Sequence, residues 1–183
     1  MKRLSEVIGK ELRVEKTSSH RRGSFLFWSA DAYFHVYCAG DLVAILDWSH
    51  FNEKKIYVEA SEGQWCFHLK GLFNQSIYIR RINPDKDIGV FKLGRWKGGG
   101  ILKFLNGHEY YLVPLNFLES GYEWKTLKNS LVTIKHPFHI LRITVLIEKF
   151  TTDEAELSLF FLLELHLYLF IHGAASEDAT FVS

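Results

Sequence analysis

The densest run of residues able to hold an anion is Arg80–Lys103. It carries Arg80, Arg81, Lys86, Lys92, Arg95, Lys97 and Lys103 against Asp85 and Asp87, seven positives less two negatives, in a chain whose formal net charge is +1. Within it, Gly94-Arg95-Trp96-Lys97-Gly98-Gly99-Gly100 sets a Trp between two cations in a glycine-rich loop. Guanidinium forks match phosphate oxygens. A Trp, apolar with one polar edge, suits a membrane interface. These residues support capture of an anionic phospholipid headgroup by Arg80, Arg81, Arg95 and Lys97, with Trp96 at the interface. A solvated outer face plus a glycine-rich hairpin loop would contain the same residues. No Gly-Lys-Ser/Thr follows the glycines, so P-loop nucleotide hydrolysis is not indicated.

The remaining polar groups offer less. His136-Pro137-Phe138-His139 brings two imidazoles close, but a metal site needs three or four converging ligands. Pro137 marks a turn, and no Cys or carboxylate lies at ligand spacing. The segment reads as a strand-entry turn, and neither a metal nor another cofactor is expected. Glu164 and His166 interrupt an apolar run. Two residues apart, they lie on different faces of a helix and are expected to be satisfied buried contacts. Neither a Gly-x-Ser-x-Gly elbow nor His-Glu-x-x-His occurs. Cys38 and Cys66 lack a helix-terminus context that would lower a thiol pKa, and read as reduced, partly buried thiols of a cytosolic protein. No catalytic residue is assigned, and the chain is not expected to be an enzyme.

The elements that position these residues follow from texture. The chain has 183 residues, 48% hydrophobic and 15% aromatic, enough for one domain with a sizeable core. Such a composition argues against disorder, because the chain can bury enough apolar surface to offset its lost entropy. The near-neutral charge disfavours a globally basic nucleic-acid binder. Met1–Lys16 has no apolar run suited to a signal peptide, so secretion is not expected. Residues 1–23 read as a peripheral segment.

Beyond Gly23, short apolar bursts recur at regular spacing. They are Phe25–Trp28, Tyr33–Cys38, Leu42–Trp48, Lys55–Ala60, Gln64–Lys70, Ser76–Ile82, Ile88–Leu93, Ile101–Leu105, Glu109–Val113, Tyr122–Thr126, Leu131–Lys135 and Phe138–Phe150. Twelve such bursts predict an all-β sandwich or barrel. Trp65, Phe67 and Leu69 alternate with Cys66, His68 and Lys70, as a half-buried strand requires. Asn106-Gly107 predicts a type I′ hairpin turn, and Asn83-Pro84-Asp85 another tight turn. Short connections imply sequential antiparallel hairpins.

The end of the chain differs. Leu157–Ile171 is apolar nearly all round, and Thr151–Glu156 before it offers capping-box spacings, Asp153 with Glu156 or Thr151 with Glu154. Gly173 supplies a stop. This predicts a helix over 153–172, with a tail at 173–183. A helix apolar on every side must be buried on every side. The run is short for a membrane span, Glu164 and His166 interrupt it, and no basic flank follows, so no transmembrane segment is expected. The solution is a mainly β fold, a roughly twelve-stranded antiparallel β-barrel over 24–172 enclosing the C-terminal helix.

A chain of short strands ending in an all-round hydrophobic helix resembles the tubby C-terminal / LURP-one-related / phospholipid scramblase-like superfamily. The likeness rests on Gln64–Leu69 with Ser76–Arg81, on Ile88–Lys92, on the Phe104–Tyr110 hairpin and on Leu157–Ile171. It implies that fold and, from the tubby members, binding of phosphoinositide headgroups at the inner face of membranes. The chain lacks the calcium-binding segment and cysteine cluster of the scramblase-like members, so their activity is not implied.

The expectation for function is a non-catalytic binding or scaffold module, cytoplasmic and peripheral to the inner membrane face, with anionic phospholipid or a protein as partner and not nucleic acid. Two alternatives stand beside it. One is a carrier of a small apolar ligand, which requires an empty barrel. The other is an enzyme of unknown type.

Overall fold

The computed structural model describes residues 1–18, 32–50, 53–71, 76–94, 99–115, 121–136, 143–150 and 153–171. Its strands are β1 Glu11–Ser18, β2 Ala32–Cys38, β3 Asp41–Asp47, β4 Lys55–Ala60, β5 Gly63–Lys70 and β6 Ser76–Arg81. They continue as β7 Lys86–Leu93, β8 Gly100–Phe104, β9 Glu109–Pro114, β10 Gly121–Lys125, β11 Ser130–Lys135 and β12 Ile143–Phe150. One helix follows, α1 Glu154–Ile171. Each strand pairs antiparallel with its sequence neighbours, and β1 pairs with β12, so the sheet closes into a twelve-stranded barrel. Closure removes the unpaired edges that an open sheet exposes.

The strands alternate as the barrel demands. In β4, Ile56, Val58 and Ala60 point inward while Lys55, Tyr57 and Glu59 point out. Charged side chains stud the outer wall, among them Arg13, Glu15, Lys55, Glu59, Arg80, Lys103 and Glu109. This is not the apolar band of a lipid-facing barrel. Among the described residues, no helix is long and apolar enough to cross a membrane.

The helix threads the lumen. Its buried side chains include Leu157, Phe160, Phe161, Leu163, Leu165 and Leu169. Trp124 of β10 stacks on Phe160, with ring centroids 4.7 Å apart, and donates its indole N–H to the Phe160 carbonyl at 3.1 Å. Tyr110 of β9 also packs on Phe160, and Phe67 of β5 and Trp48 just after β3 pack on His166 further along the helix. At about 1.5 Å per residue, α1 is roughly 27 Å long. The apolar space inside the barrel, which a carrier would need empty, is occupied by the chain's own helix. Asp153 caps the helix by accepting the Glu156 N–H at 2.8 Å, as the first of the two spacings predicts. The Glu156 carboxylate accepts the Tyr110 hydroxyl at 2.7 Å and so ties the first turn to β9.

Residues 1–18 are not peripheral, contrary to the sequence expectation. Residues 11–18 form the strand that closes the barrel, and Leu4 and Val7, in a 3-10 turn spanning Leu4–Val7, are fully buried. This turn plugs the barrel end where α1 begins. Glu62 accepts the Leu4 N–H at 3.3 Å and the buried Ser158 hydroxyl at 2.7 Å, and Ser5 donates to Glu154 at 2.8 Å. Charged residues on the outward face of β1 hid its alternation. The first predicted burst, Phe25–Trp28, lies outside the described residues, so the count of twelve stands with β1 in its place.

Leu4→Ala truncates a fully buried side chain of the plug. It should lower unfolding free energy by about 2–5 kcal/mol, read from urea denaturation. A peripheral segment would tolerate the change with no shift in midpoint.

Candidate functional site

An up-and-down barrel alternates its connections between two ends. The β2–β3, β4–β5, β6–β7, β8–β9 and β10–β11 turns share the plugged end. Three consecutive hairpins there carry exposed aliphatic side chains at their tips. Ile82 follows β6 and is 36% exposed, Leu105 follows β8 at 69%, and Leu127 follows β10 at 85%.

Local turn chemistry puts these residues outward. Residues 105–108 join β8 to β9, three of them inside the Phe104–His108 closing pair, with the Gly107 N–H donating to the Phe104 carbonyl at 3.0 Å and the Phe104 N–H to the His108 carbonyl at 2.9 Å. Gly107 alone in this loop takes a positive φ, +91°. This is a type I turn ending in a left-handed residue, not the type I′ turn the sequence predicts, and the extra residue sets Leu105 at the tip. In the β10–β11 turn, Thr126 Oγ1 accepts the Lys128 and Asn129 N–H groups at 3.3 and 3.0 Å. Polar side chains satisfy the turn, leaving Leu127 to solvent.

A lysine stands near each tip. Lys86 and Lys128 are exposed and have no acidic partner among the described residues, whereas Lys103 is ion-paired with Glu109. Beside the third tip, an open hollow of about 400 Å³ is lined by Tyr111, Val113, Lys125, Leu127, Lys128 and Ser130, together with Thr126 and Asn129.

The residues singled out from the sequence divide. Arg80 and Arg81 lie at the end of β6, beside the first tip. The Arg80 guanidinium is engaged by both carboxylate oxygens of Asp85, and Arg81 donates to the Glu62 carbonyl at 3.4 Å. Arg95, Trp96 and Lys97 lie outside the described residues. The loop that holds them leaves and rejoins the sheet at Gly94 and Gly99, joined by a 2.8 Å backbone hydrogen bond. Arg80 pairs with Asp87 near the start of β7, and Gly94 follows the last residue of that strand. The length of β7 therefore separates the arginines from the loop's anchors. Sequence reasoning passed over Ile82, Leu105, Leu127 and Lys128. The available signal was an aliphatic residue inside turn segments where polar residues are the rule.

The second polar group lies inside. His136, just after β11, is hydrogen-bonded through Nε2 to Glu164 Oε1 at 2.6 Å, with both side chains essentially fully buried. The His136 ring stacks on Tyr168 at 3.7 Å, and Tyr122 meets it edge-on. Burial, and then the Glu164 charge, holds the Tyr122 and Tyr168 phenols above their ordinary value. His136, read as a plain turn residue, thus satisfies one Glu164 oxygen. His139 lies outside the described residues. His166 departs from expectation, since among the described residues neither ring nitrogen has a hydrogen-bond partner and Trp48, Phe67 and Phe170 pack around it. Burial pushes its pKa down to about 3. Cys38 and Cys66 are free thiols, the latter raised by burial. Among the described residues, no three His, Cys, Asp or Glu side chains converge as a metal site.

No protein-family model matches the chain, and neither a curated protein nor a solved structure shows significant similarity to it.

His166 is held neutral in the fold but charges in the unfolded chain below about pH 6.5. Its folded pKa is the lower one, so the fold's stability is full above pH 6.5 and declines as pH falls toward 3. His166→Phe removes that titration. Urea midpoints should favour the variant progressively between pH 6.5 and 4, with a constant difference above pH 7. Parallel curves across the whole range would contradict burial of a neutral imidazole.

Proposed function

We propose that this protein is a non-catalytic binding module that docks on anionic phospholipid surfaces through the three hairpin tips of the plugged end. The observation carrying this reading is the recurrence, on three consecutive tips, of an exposed aliphatic with a lysine nearby. Adjacent tips are two strands apart, about 10 Å, so Ile82, Leu105 and Leu127 form an edge rather than a scattering. Single exposed aliphatics need no explanation, but a contiguous set marks an interaction surface. Protruding tips suit a bilayer, which deforms around each side chain, better than the flat face of a folded partner.

Electrostatics supports the same orientation. Lys86 and Lys128 are free to meet headgroup phosphates, and each lysine near an anionic surface contributes about 1 kcal/mol. The hollow beside Lys125 and Lys128 has room for a headgroup. Arg80 adds less, because Asp85 neutralises it. The loop of Arg95, Trp96 and Lys97 is a separate candidate, since its anchors belong to the other end of β7. The filled interior supports a non-catalytic role, with the His136–Glu164 pair acting as a tie between helix and wall.

Liposome co-sedimentation tests this. Binding should require anionic vesicles and weaken with salt. Leu105→Ser with Leu127→Ser should reduce it strongly, and Lys86→Ala with Lys128→Ala should cost about 2 kcal/mol. Loss confined to an Arg95/Trp96/Lys97→Ala variant would assign docking to the opposite end. No binding at low salt would end the lipid reading.

A further inference from the structure

A second surface lies on the outer wall, away from the tips. Strand register builds it from residues far apart in sequence. Lys70 on β5 pairs with Ser76 on β6, and Ser76 pairs with Lys92 on β7. In the adjacent row, Lys55 pairs with His68 and His68 with Tyr78. Lys70 and Lys92 are exposed and, among the described residues, have no carboxylate partner. Their neighbours Lys55, Arg80 and Lys103 are each matched, by Glu53, Asp85 and Glu109. The Lys70 ammonium lies 4.3 Å over the ring of Tyr78, itself 43% exposed. His68 sits below its ordinary pKa through desolvation and then the charges of Lys70, Lys55 and Lys54, which marks a positive local field.

We propose that the outer face of β5–β7 docks an acidic segment of a partner protein in polyproline-II conformation, with successive same-face carboxylates on Lys70 and Lys92. The spacing argues for this shape. The backbone positions of Lys70 and Lys92 stand two strands apart, about 10 Å. A polyproline-II chain turns once every three residues at about 3.1 Å each, so it repeats a side chain about every 9 Å. An acidic residue at every third position would meet both lysines in turn, with Ser76 offering a hydroxyl between them. The Lys70 ammonium covers one face of the Tyr78 ring, and a nucleobase would have to displace it to stack there. A protein carboxylate exploits the cation where it already sits. This surface is independent of the hairpin tips and does not rest on the lipid reading.

The test uses the full chain and a fluorescein-labelled peptide that repeats Glu-Pro-Pro four times, followed by anisotropy at low and physiological salt. Saturable binding is expected, weakened at least tenfold by Lys70→Glu or Lys92→Glu and unchanged by Lys86→Glu at the tips. Unaltered circular dichroism would establish that each variant folds, and vesicle binding should survive both wall substitutions. A peptide of equal composition with its Glu residues adjacent should bind less tightly. Absence of saturable binding would overturn the proposal, as would equal affinity for the two peptides or equal loss with Lys86→Glu. Tighter binding of oligothymidylate through the same lysines would also overturn it, in favour of nucleic acid.

Discussion

A helix that is apolar on every side dictates the rest of this structure. Water cannot cover any face of α1, and no single sheet face can cover more than one. A closed ring of strands covers all of them and at the same time satisfies every strand's hydrogen-bonding edge. Each strand must then turn alternate residues inward, which is the alternation seen in β2 and β4. The Trp124 indole bond to the Phe160 carbonyl fixes the helix in depth within the ring.

The two ends of that helix are held differently. At the start, Glu62, Ser5, Ser158 and Glu154 form a polar collar around the Leu4–Val7 plug. In its later turns, the His136–Glu164 bond supplies the tie, and His166 sits among aromatic rings with no polar partner among the described residues. Burying such a group costs free energy, so the second half of α1 is the less economical one. With the lumen occupied, both surfaces proposed for recognition lie on the outside, where the tips combine aliphatic groups with cations and the β5–β7 wall offers cations beside an aromatic ring.

Much of the fold was legible in the sequence because both of its periodicities are strong. The alternation in Gln64–Lys70 and the unbroken apolar run of Leu157–Ile171 each have one physical solution. β1 was not legible, because Glu11, Arg13 and Glu15 face water and only Leu12 and Val14 face the core, too few to stand out. The site was read less well than the fold. Net charge along Arg80–Lys103 ignores that a strand carries residues from one end of the barrel to the other, and that Asp85 folds back on Arg80. The pairing of Glu164 with His136 is a product of helix-to-wall packing and the row formed by Lys70 and Lys92 is a product of register, neither of which a local pattern encodes.

Closure between β1 and β12 also has a kinetic meaning. Leu12 pairs with Val145, and the helix that fills the ring follows both in the chain. Local hairpins can form early, but the ring cannot close, nor its inner face be covered, until the last strand and then α1 are available. During synthesis the inward residues of the earlier strands have only one another to contact, and the element that completes them arrives last. The core of such a barrel therefore cannot be completed before α1 is available, and until then the inward side chains of the strands lack the helix they pack against in the finished fold.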